Sequence, residues 1–306
     1  PRLLQRKQGA RGSQFEAEAE YMRWGELFNV SALNKLHPAV ELDEFLQRRG
    51  GGGAAQIDVL TAIDHKGCEP GGAAETSFNG LTNVRVGRSQ CDSSLQHNVA
   101  ALGRMTEGAI AFSNSFDQLP FAAALGLRPY VRFEQGVYDA AAAFVAKTFG
   151  TEPFVAIHWR RTDFLIARPK PGVLQSPAEL MRHARALMEE HGVTRVYLAT
   201  DNTDDDEMAL VNAGLKPARL EPPAEAAESL RARAVHANVE IAICAMADYF
   251  LGTQTSSFTL AITEERQAVF GHAAATGAEM GLLPPSNQPS SPPSPPSPPS
   301  PPSPPS

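Results

Sequence analysis

A histidine and two arginines follow a short apolar run in the sequence FVAIHWRRTDF. The run, residues 154–157, is typical of a parallel strand that is covered on both faces. Because side chains alternate along a strand, His158 and Arg160 should point to one side of the sheet and Trp159 to the other. A guanidinium group can bind two phosphate oxygens at once. We therefore predict that His158 and Arg160 share an anionic ligand.

A second candidate anion site lies in the sequence GTQTSSF, residues 252–258. A glycine turn is followed there by hydroxyl side chains, and Ser256 or Ser257 is the expected N-cap of a helix. The free backbone N–H groups at a helix N-terminus favour phosphate, so the two sites together would suit a diphosphate. Each feature also has a plainer explanation, since an arginine at a strand end is often half of a surface ion pair and a serine before a helix is often only a cap.

Strands alternate with helices from residue 136 onward, which predicts an α/β fold with a parallel, doubly wound sheet. Ligands of such sheets bind beyond the carboxyl ends of the strands, where His158 would lie. The clearest helix begins after Ser176, with Glu179 completing a capping box, and ends at Gly192. The other predicted elements are the helix GVYDAAAAFVAKT, the strand VTRVYLATD, the helix TDDDEMALVNAG, the helix and strand of NVEIAICAMADYFLGT, and the helix SSFTLAITEERQAVFG.

The acidic run DNTDDDE, Asp201–Glu207, is a candidate site for Mg²⁺ or Mn²⁺, because these ions prefer carboxylate ligands. A second explanation is that acids in the first turn of a helix interact favourably with its dipole. We favour the second explanation and expect neither a metal ion nor another cofactor.

Composition argues against several classes of protein. The chain has 306 residues, of which 42% are hydrophobic, and this is enough for a sizeable core. Its formal net charge is -7, so no broad basic surface is available for a nucleic-acid backbone. No apolar run approaches the roughly 20 residues that cross a bilayer, so no membrane anchor is visible.

Three segments of the chain differ in composition. Residues 1–149 are interrupted by Gly- and Ser-rich stretches and predict an incomplete N-terminal domain, whereas residues 150–280 predict the α/β domain described above. Residues 281–306 form a Pro- and Ser-rich tail that should extend as polyproline II, either as a plain spacer or like the hydroxyproline-rich stalks of extracellular proteins. The tail and a glycosylation sequon at Asn29 favour the secretory pathway. Because the chain opens with Pro1, we expect a targeting segment in a longer precursor.

The ordered set IHWRRTDF, VYLATD and EIAICAMADYFLGTQTSSFTLAITEER resembles the GDP-fucose protein O-fucosyltransferases, especially the branch that modifies thrombospondin-type repeats. The resemblance covers residues 154–271 well and residues 19–48 weakly, through WGELFNVSALNK. It implies a GT-B-like fold of two Rossmann-like domains, with the nucleotide in the C-terminal one. It also implies inverting, metal-independent transfer of fucose from GDP-fucose to a Ser or Thr hydroxyl of a protein, for example a small cysteine-rich domain, in the lumen of the endoplasmic reticulum or Golgi.

Two other functions stay open at this point. The α1,6-fucosyltransferases, which act on glycans, share RRTD and YLATD with this sequence but lack its SSFT and EER pattern. A non-catalytic secreted protein that binds a nucleotide or a glycan is the other alternative.

The resemblance assigns roles to individual residues. Arg160 corresponds to the arginine of the family's His-x-Arg motif, which binds the diphosphate and is needed for turnover. Glu240 stands at the position of a nucleotide-binding aspartate and is one methylene longer, and Ser257 stands where the family has threonine. The full set of implied nucleotide-binding residues is His158, Arg160, Glu240, Ser256, Ser257 and Phe258.

The resemblance further implies a disulfide between Cys68 and Cys91, although two free surface thiols are the plainer explanation of the residues alone. Cys244 lies in an apolar helical pattern and is predicted to be buried. The family's catalytic base is a glutamate in a glycine-containing loop, upstream of the segment that resembles residues 19–48. This sequence does not contain that loop, so we expect the base to lie in a preceding part of a longer protein.

Overall fold

The structure is a computed structural model that describes part of the chain: residues 2–4, 19–50, 55–62, 84–91, 110–112, 125–167, 175–224 and 229–272. Two short N-terminal strands, β1 (Arg2–Leu4) and β2 (Ala19–Tyr21), pair antiparallel. The predicted proline-rich tail lies outside the described residues. So does the predicted disulfide, because neither Cys68 nor the side chain of Cys91 is described.

The N-terminal half contains a parallel sheet of three strands. The strand β3 (Ala55–Ala62) lies between β4 (Val84–Cys91) and β5 (Ile110–Phe112). The pattern of residues 1–149 predicts none of these strands individually, because Gly- and Ser-rich segments separate them. Parallel pairing requires crossover connections and is typical of a Rossmann-like domain, as the family resemblance implies for this half.

Two helices precede this sheet, α1 (Val30–Leu36) and α2 (Leu42–Gly50). Asn29 caps α1, because its Oδ1 accepts a 2.8 Å hydrogen bond from the first-turn backbone. Glu41, just before α2, is buried and accepts two backbone N–H groups of the 3₁₀ turn Trp24–Glu26, at 2.8 Å and 2.6 Å. These two bonds satisfy a buried carboxylate and fasten the turn to α2.

The C-terminal sheet places β6 (Phe154–Trp159) between β7 (Arg195–Thr200) and β8 (Tyr249–Leu251), and all three strands are parallel. Every residue of β6 is buried, which confirms the prediction of a strand covered on both faces. The strand continues through His158 and Trp159, beyond the predicted apolar run, because β7 pairs with both residues.

Helices cover both faces of this sheet, as the doubly wound prediction requires. They are α3 (Gln135–Thr148), α4 (Phe164–Ala167), α5 (Pro177–His191), α6 (Asp205–Leu215), α7 (Leu230–Met246) and α8 (Ser257–Glu265). Phe154 and Ala156 of β6 belong to one core, which is completed by α3 and α7 and includes the buried Cys244. Val155 and Ile157 belong to a second core, which is completed by α5 and α6.

The ends of α5 lie where the sequence predicts them. The Ser176 hydroxyl accepts the Glu179 N–H at 3.3 Å, and the Glu179 carboxylate accepts the Ser176 N–H at 2.9 Å. Gly192 ends the helix in the left-handed conformation, with φ of 66°. Local capping chemistry therefore fixes both ends of this helix.

Two helix boundaries differ from the predictions. The helix α7 begins at Leu230, earlier than the predicted segment at Asn238, because Ser229 caps it through the N–H of Ala232 at 3.1 Å. The final helix passes into a π-helical turn, Arg266–Phe270. No helix within the described ranges is long and apolar enough to span a membrane.

Candidate functional site

His158 is a buried, uncharged imidazole near the carboxyl end of β6. Its Nδ1 atom lies 2.7 Å from Thr259 Oγ1 in α8, and its ring centroid lies 4.7 Å from that of Phe258. Burial, and secondarily the positive charge of Arg160, lower the pKa of His158 to about 3. The ring can therefore contact a ligand at neutral pH through a hydrogen bond but not through an ion pair.

Arg160 presents a partly exposed guanidinium group at the same sheet edge. Its Nε donates to Asp163 Oδ1 at 2.8 Å, and its Nη1 lies 3.3 Å from Asp201 Oδ2. Burial opposes the charged form, but the hydrogen bond to Asp163 and the charges of Asp163 and Asp201 leave the pKa of Arg160 raised. Among the described residues, Nη2 of Arg160 has no hydrogen-bond or ion-pair partner. The group is thus held on one side and available to an anion on the other.

Trp159 and Arg161 lie on the opposite side of the strand, as side-chain alternation predicts. The Trp159 Nε1 donates to the Gln175 carbonyl at 3.1 Å. The Arg161 Nε donates to Glu207 Oε2 at 2.8 Å, and its guanidinium carbon lies 5.8 Å from the centroid of the Trp159 ring. The Arg161 guanidinium is therefore committed to an internal ion pair and is nearly buried, whereas that of Arg160 remains partly exposed.

The loop between β8 and α8 packs directly against the end of β6. Thr253 is fully buried, and its hydroxyl donates to the His158 carbonyl at 2.9 Å and accepts the Arg160 N–H at 2.9 Å. Gly252 allows the first turn of α8 to pack closely on this loop, because a Cβ there would lie 2.4 Å from Thr259 Cγ2. The Thr253 side chain thus joins the loop to the backbone of His158 and Arg160 at the end of β6.

Ser256, and not Ser257, is the N-cap of α8. Its hydroxyl makes no capping hydrogen bond, and the preceding Thr255 has a left-handed backbone with φ of 61°. The first-turn N–H groups of Phe258 and Thr259 therefore lack the side-chain acceptor that usually caps a helix. An anion can take that place.

Glu240 lies on α7 and has different neighbours. Its Oε1 accepts a 3.3 Å hydrogen bond from Tyr197, and its Oε2 lies 3.9 Å from His236 Nε2. Burial raises the pKa of Glu240 to about 7, against smaller opposing effects of Tyr197 and Arg219. A cavity of about 440 Å³, lined in part by His236 and Val239, adjoins this face of the helix. No hydrogen bond or ion pair between described residues links Glu240 to the end of β6, so its role toward a nucleotide stays a prediction.

The acidic run Asp201–Glu207 is engaged in contacts within the protein. The Asp204 carboxylate caps α6 by accepting two first-turn N–H groups, each at 3.0 Å. The Asp201 Oδ1 accepts the Arg161 N–H at 2.7 Å, and Glu207 pairs with the Arg161 side chain. Across the residues whose positions are described, no group of three or more His, Cys, Asp or Glu side chains is arranged to hold a metal ion.

The sequence EER at the end of α8 fastens that helix to its neighbours. Glu265 is fully buried, lies 2.8 Å from Arg128 Nη2 and accepts a hydrogen bond from Tyr138 of α3. Arg266 is also fully buried, and it donates to carbonyl groups at the end of α7, including that of Ala247 at 2.6 Å. These contacts fix the helix whose amino end faces the end of β6.

Three residues of this site were not identified as such from the sequence. The sequence groups Asp201 with the acidic run, although its position directly after β7 places it at the same sheet edge as the end of β6. Nothing distinguishes Thr253 and Thr259 from the other hydroxyls of TQTSSFT, since their partners lie 95 and 101 positions away along the chain.

Comparison with known proteins gives a match along most of the chain. Residues 1–269 match the family described as GDP-fucose protein O-fucosyltransferase. The chain is 31% identical over 121 residues to GDP-fucose protein O-fucosyltransferase 2 of Caenorhabditis elegans and 32% identical over 115 residues to the Homo sapiens protein of that name. Each alignment covers 38% of this chain, but only 27% and 26% of those relatives, so it spans about a quarter of their length.

Solved structures of POFUT1 have the same fold. The complex with GDP superposes with a TM-score of 0.64 at 16% identity, covering 92% of this chain and 88% of that chain. The complex with GDP-fucose gives a TM-score of 0.62 at 16% identity, covering 87% and 86%. These similarities confirm the predicted GT-B-like α/β fold. Because the family match spans far more than half of its residues, this chain belongs to the GDP-fucose protein O-fucosyltransferase family.

Proposed function

We propose that this protein is an inverting, metal-independent glycosyltransferase that moves fucose from GDP-fucose to a Ser or Thr hydroxyl of a protein acceptor. The observation that carries the proposal is the junction between β6 and the loop before α8. Through Thr253, that junction holds the backbone of Arg160, and it brings the Arg160 residue and the uncapped amino end of α8 to one sheet edge. A cationic fork and free backbone N–H groups are the donors that a diphosphate requires.

The same donors would stabilise the leaving group during transfer. As the bond between the anomeric carbon and the β-phosphate oxygen breaks, the sugar gains oxocarbenium character and negative charge builds on the β-phosphate. Arg160 and the N–H groups at the start of α8 would bind that charge, a task that a metal ion performs in other enzymes. Removal of one such donor typically costs about 3 kcal/mol of transition-state stabilisation.

The acceptor hydroxyl would attack the opposite face of the sugar and invert the anomeric carbon, and its proton must pass to a base. Asp163 and Asp201 are the carboxylates next to Arg160, and both are engaged by its guanidinium. We therefore assign neither of them as the base.

We further propose a division of labour along the chain. Residues 150–280 would bind the donor nucleotide, with Glu240 and the adjoining cavity turned toward its base, and residues 1–149 would face the acceptor. The names of the curated relatives support a protein acceptor and the family assignment supports the donor GDP-fucose. The lumen of the secretory pathway is the compartment we propose.

Calorimetric titration with GDP, followed by a fucose-transfer assay, tests the proposal. We expect GDP to bind the wild-type protein and Arg160→Ala to weaken binding about 100-fold, which corresponds to about 3 kcal/mol. Arg182→Ala is the matched control, because Arg182 is an exposed arginine on α5 whose Nη2 lies 3.0 Å from His183 Nε2 of the same helix. With the preceding segment that we expect to carry the catalytic base included in the assayed protein, we also expect labelled fucose to pass from GDP-fucose to a thrombospondin-type repeat in the presence of EDTA.

Each contrary result has a separate meaning. Absence of GDP binding, or equal binding by Arg160→Ala, would refute the nucleotide site. GDP binding without transfer to any protein or glycan acceptor would support a non-catalytic binding protein instead. Transfer that stops in EDTA and returns with Mn²⁺ would contradict a metal-independent reaction.

A further inference from the structure

The contact between His158 and Thr259 decides which hydrogen-bonding group the imidazole offers. A neutral imidazole has one nitrogen that donates and one that accepts, and the partner of one nitrogen sets the state of the other. Nδ1 lies 2.7 Å from Thr259 Oγ1. The tilted ring of Phe258 covers the imidazole, which is only 3% exposed. The imidazole is therefore held in place, and the remaining question is which of its two nitrogens carries the N–H proton.

The side chain of Thr259 is also fixed in orientation. It is 3% exposed, and its methyl group Cγ2 packs so closely on Gly252 that a Cβ there would lie 2.4 Å away. The Oγ1 atom would lie 3.0 Å from the same Cβ and lies 2.7 Å from His158 Nδ1, so both branches of the side chain are confined between the loop and the imidazole. Among the described residues, His158 Nδ1 is the hydrogen-bond partner of that hydroxyl.

The direction of this hydrogen bond follows from the cost of a buried donor without an acceptor. If Nδ1 carried the proton, the Thr259 hydroxyl would accept it and its own proton would have no acceptor within the described surroundings. A buried unsatisfied donor costs about 1–3 kcal/mol. If the hydroxyl donates to Nδ1, both groups are satisfied and the ring proton resides on Nε2.

We infer that Thr259 is a positioning residue that holds His158 as the Nε2–H tautomer, so that the uncharged ring is a hydrogen-bond donor to the diphosphate. The inference deepens the proposed function and rests on it. A lone pair on Nε2 would repel a phosphate oxygen, whereas an N–H group attracts it. Burial, together with the nearby charge of Arg160, disfavours an imidazolium at His158. The Nε2–H tautomer therefore supplies the hydrogen-bond donor without protonation of the ring.

NMR of protein labelled with ¹⁵N-histidine tests the tautomer without any nucleotide. We expect the His158 signals, assigned by their loss in His158→Gln, to show a protonated Nε2 and an unprotonated Nδ1. The Thr259→Ser variant keeps the hydroxyl and should give the same pattern. The isosteric Thr259→Val variant should show a mixture of tautomers. An Nδ1–H tautomer in the wild-type protein would overturn the inference.

GDP titration of the same variants supplies the second measurement. Thr259→Val should bind GDP about tenfold more weakly, the loss of one hydrogen bond to a charged group, whereas Thr259→Ser should bind within about twofold of wild type. Thr263→Val is the matched control: it removes a buried hydroxyl bond of 2.9 Å one turn further along α8 and should leave GDP affinity unchanged. If Thr259→Val and the wild-type protein bind GDP with equal affinity, the inference about Thr259 is refuted and the proposed function is not. Failure of the wild-type protein to bind GDP would instead refute the proposed function, and the tautomer would still be read from the NMR spectrum.

Discussion

The Thr253 hydroxyl accepts a 2.9 Å hydrogen bond from the backbone N–H of Arg160. The same hydroxyl donates to the carbonyl of His158 at 2.9 Å, so it spans the backbone on both sides of Trp159. Pairing of β6 with β8 ends at Ile157 and Leu251, one residue before this contact begins. Thr253 therefore extends the connection between the two strands into the proposed diphosphate site.

Replacement of Thr253 by valine should weaken GDP binding about tenfold. Valine keeps the shape of the side chain but loses both hydrogen bonds, so the backbone that carries Arg160 is no longer fixed against the loop. Titration calorimetry measures the affinity, and urea unfolding reports the accompanying stability loss of about 1–2 kcal/mol. Thr253→Ser should restore binding. If serine binds GDP as poorly as valine, the hydroxyl is not what positions Arg160.

Replacement of Gly252 by alanine should also lower GDP affinity, by about tenfold. The new Cβ would lie 2.4 Å from Thr259 Cγ2 and push the start of α8 away from the loop, at an overpacking cost of about 1–3 kcal/mol. Gly126→Ala is the control, because a Cβ there meets nothing within 4 Å. GDP titration of both variants measures the change in affinity. Unchanged affinity in Gly252→Ala would mean that the loop tolerates displacement of the helix.

The stability of the protein should depend on Glu240 in a pH-specific way. Its pKa is about 7 in the folded protein, against an ordinary value of 4.5. Between these values the folded protein retains a proton that the unfolded chain has released, so stability falls as pH rises from about 4.5 to 7. Glu240→Gln cannot ionise and should be more stable than wild type at pH 8 by up to about 3 kcal/mol, with little difference at pH 5.

Urea unfolding at the two pH values measures this difference. Glu189→Gln, on the exposed face of α5, is the control and should show no pH-dependent gain. A gain by Glu240→Gln that is equal at pH 5 and pH 8 would argue against a carboxyl that titrates in the folded protein.

Patterns that are local in the sequence predicted much of the fold. The apolar run before His158 predicted β6, and the capping residues Ser176 and Glu179 predicted where α5 starts. These predictions succeed because alternation and capping depend on residues a few positions apart. The strands of the N-terminal half were not predicted individually, because short strands between glycine-rich segments carry little periodic signal.

The sequence by itself also determined which kinds of group meet at the end of β6, since residue order and parallel topology place strand ends and helix starts at one edge. Only the tertiary structure decided what each group does there. Arg160 and Arg161 are adjacent and chemically identical, but Glu207 engages Arg161, whereas Arg160 keeps part of its guanidinium available. Thr253 and Thr259 likewise acquire their roles from β6, far from them in the chain. Hydrogen bonds depend on distances and directions in space, and for such distant partners the folded chain alone sets them.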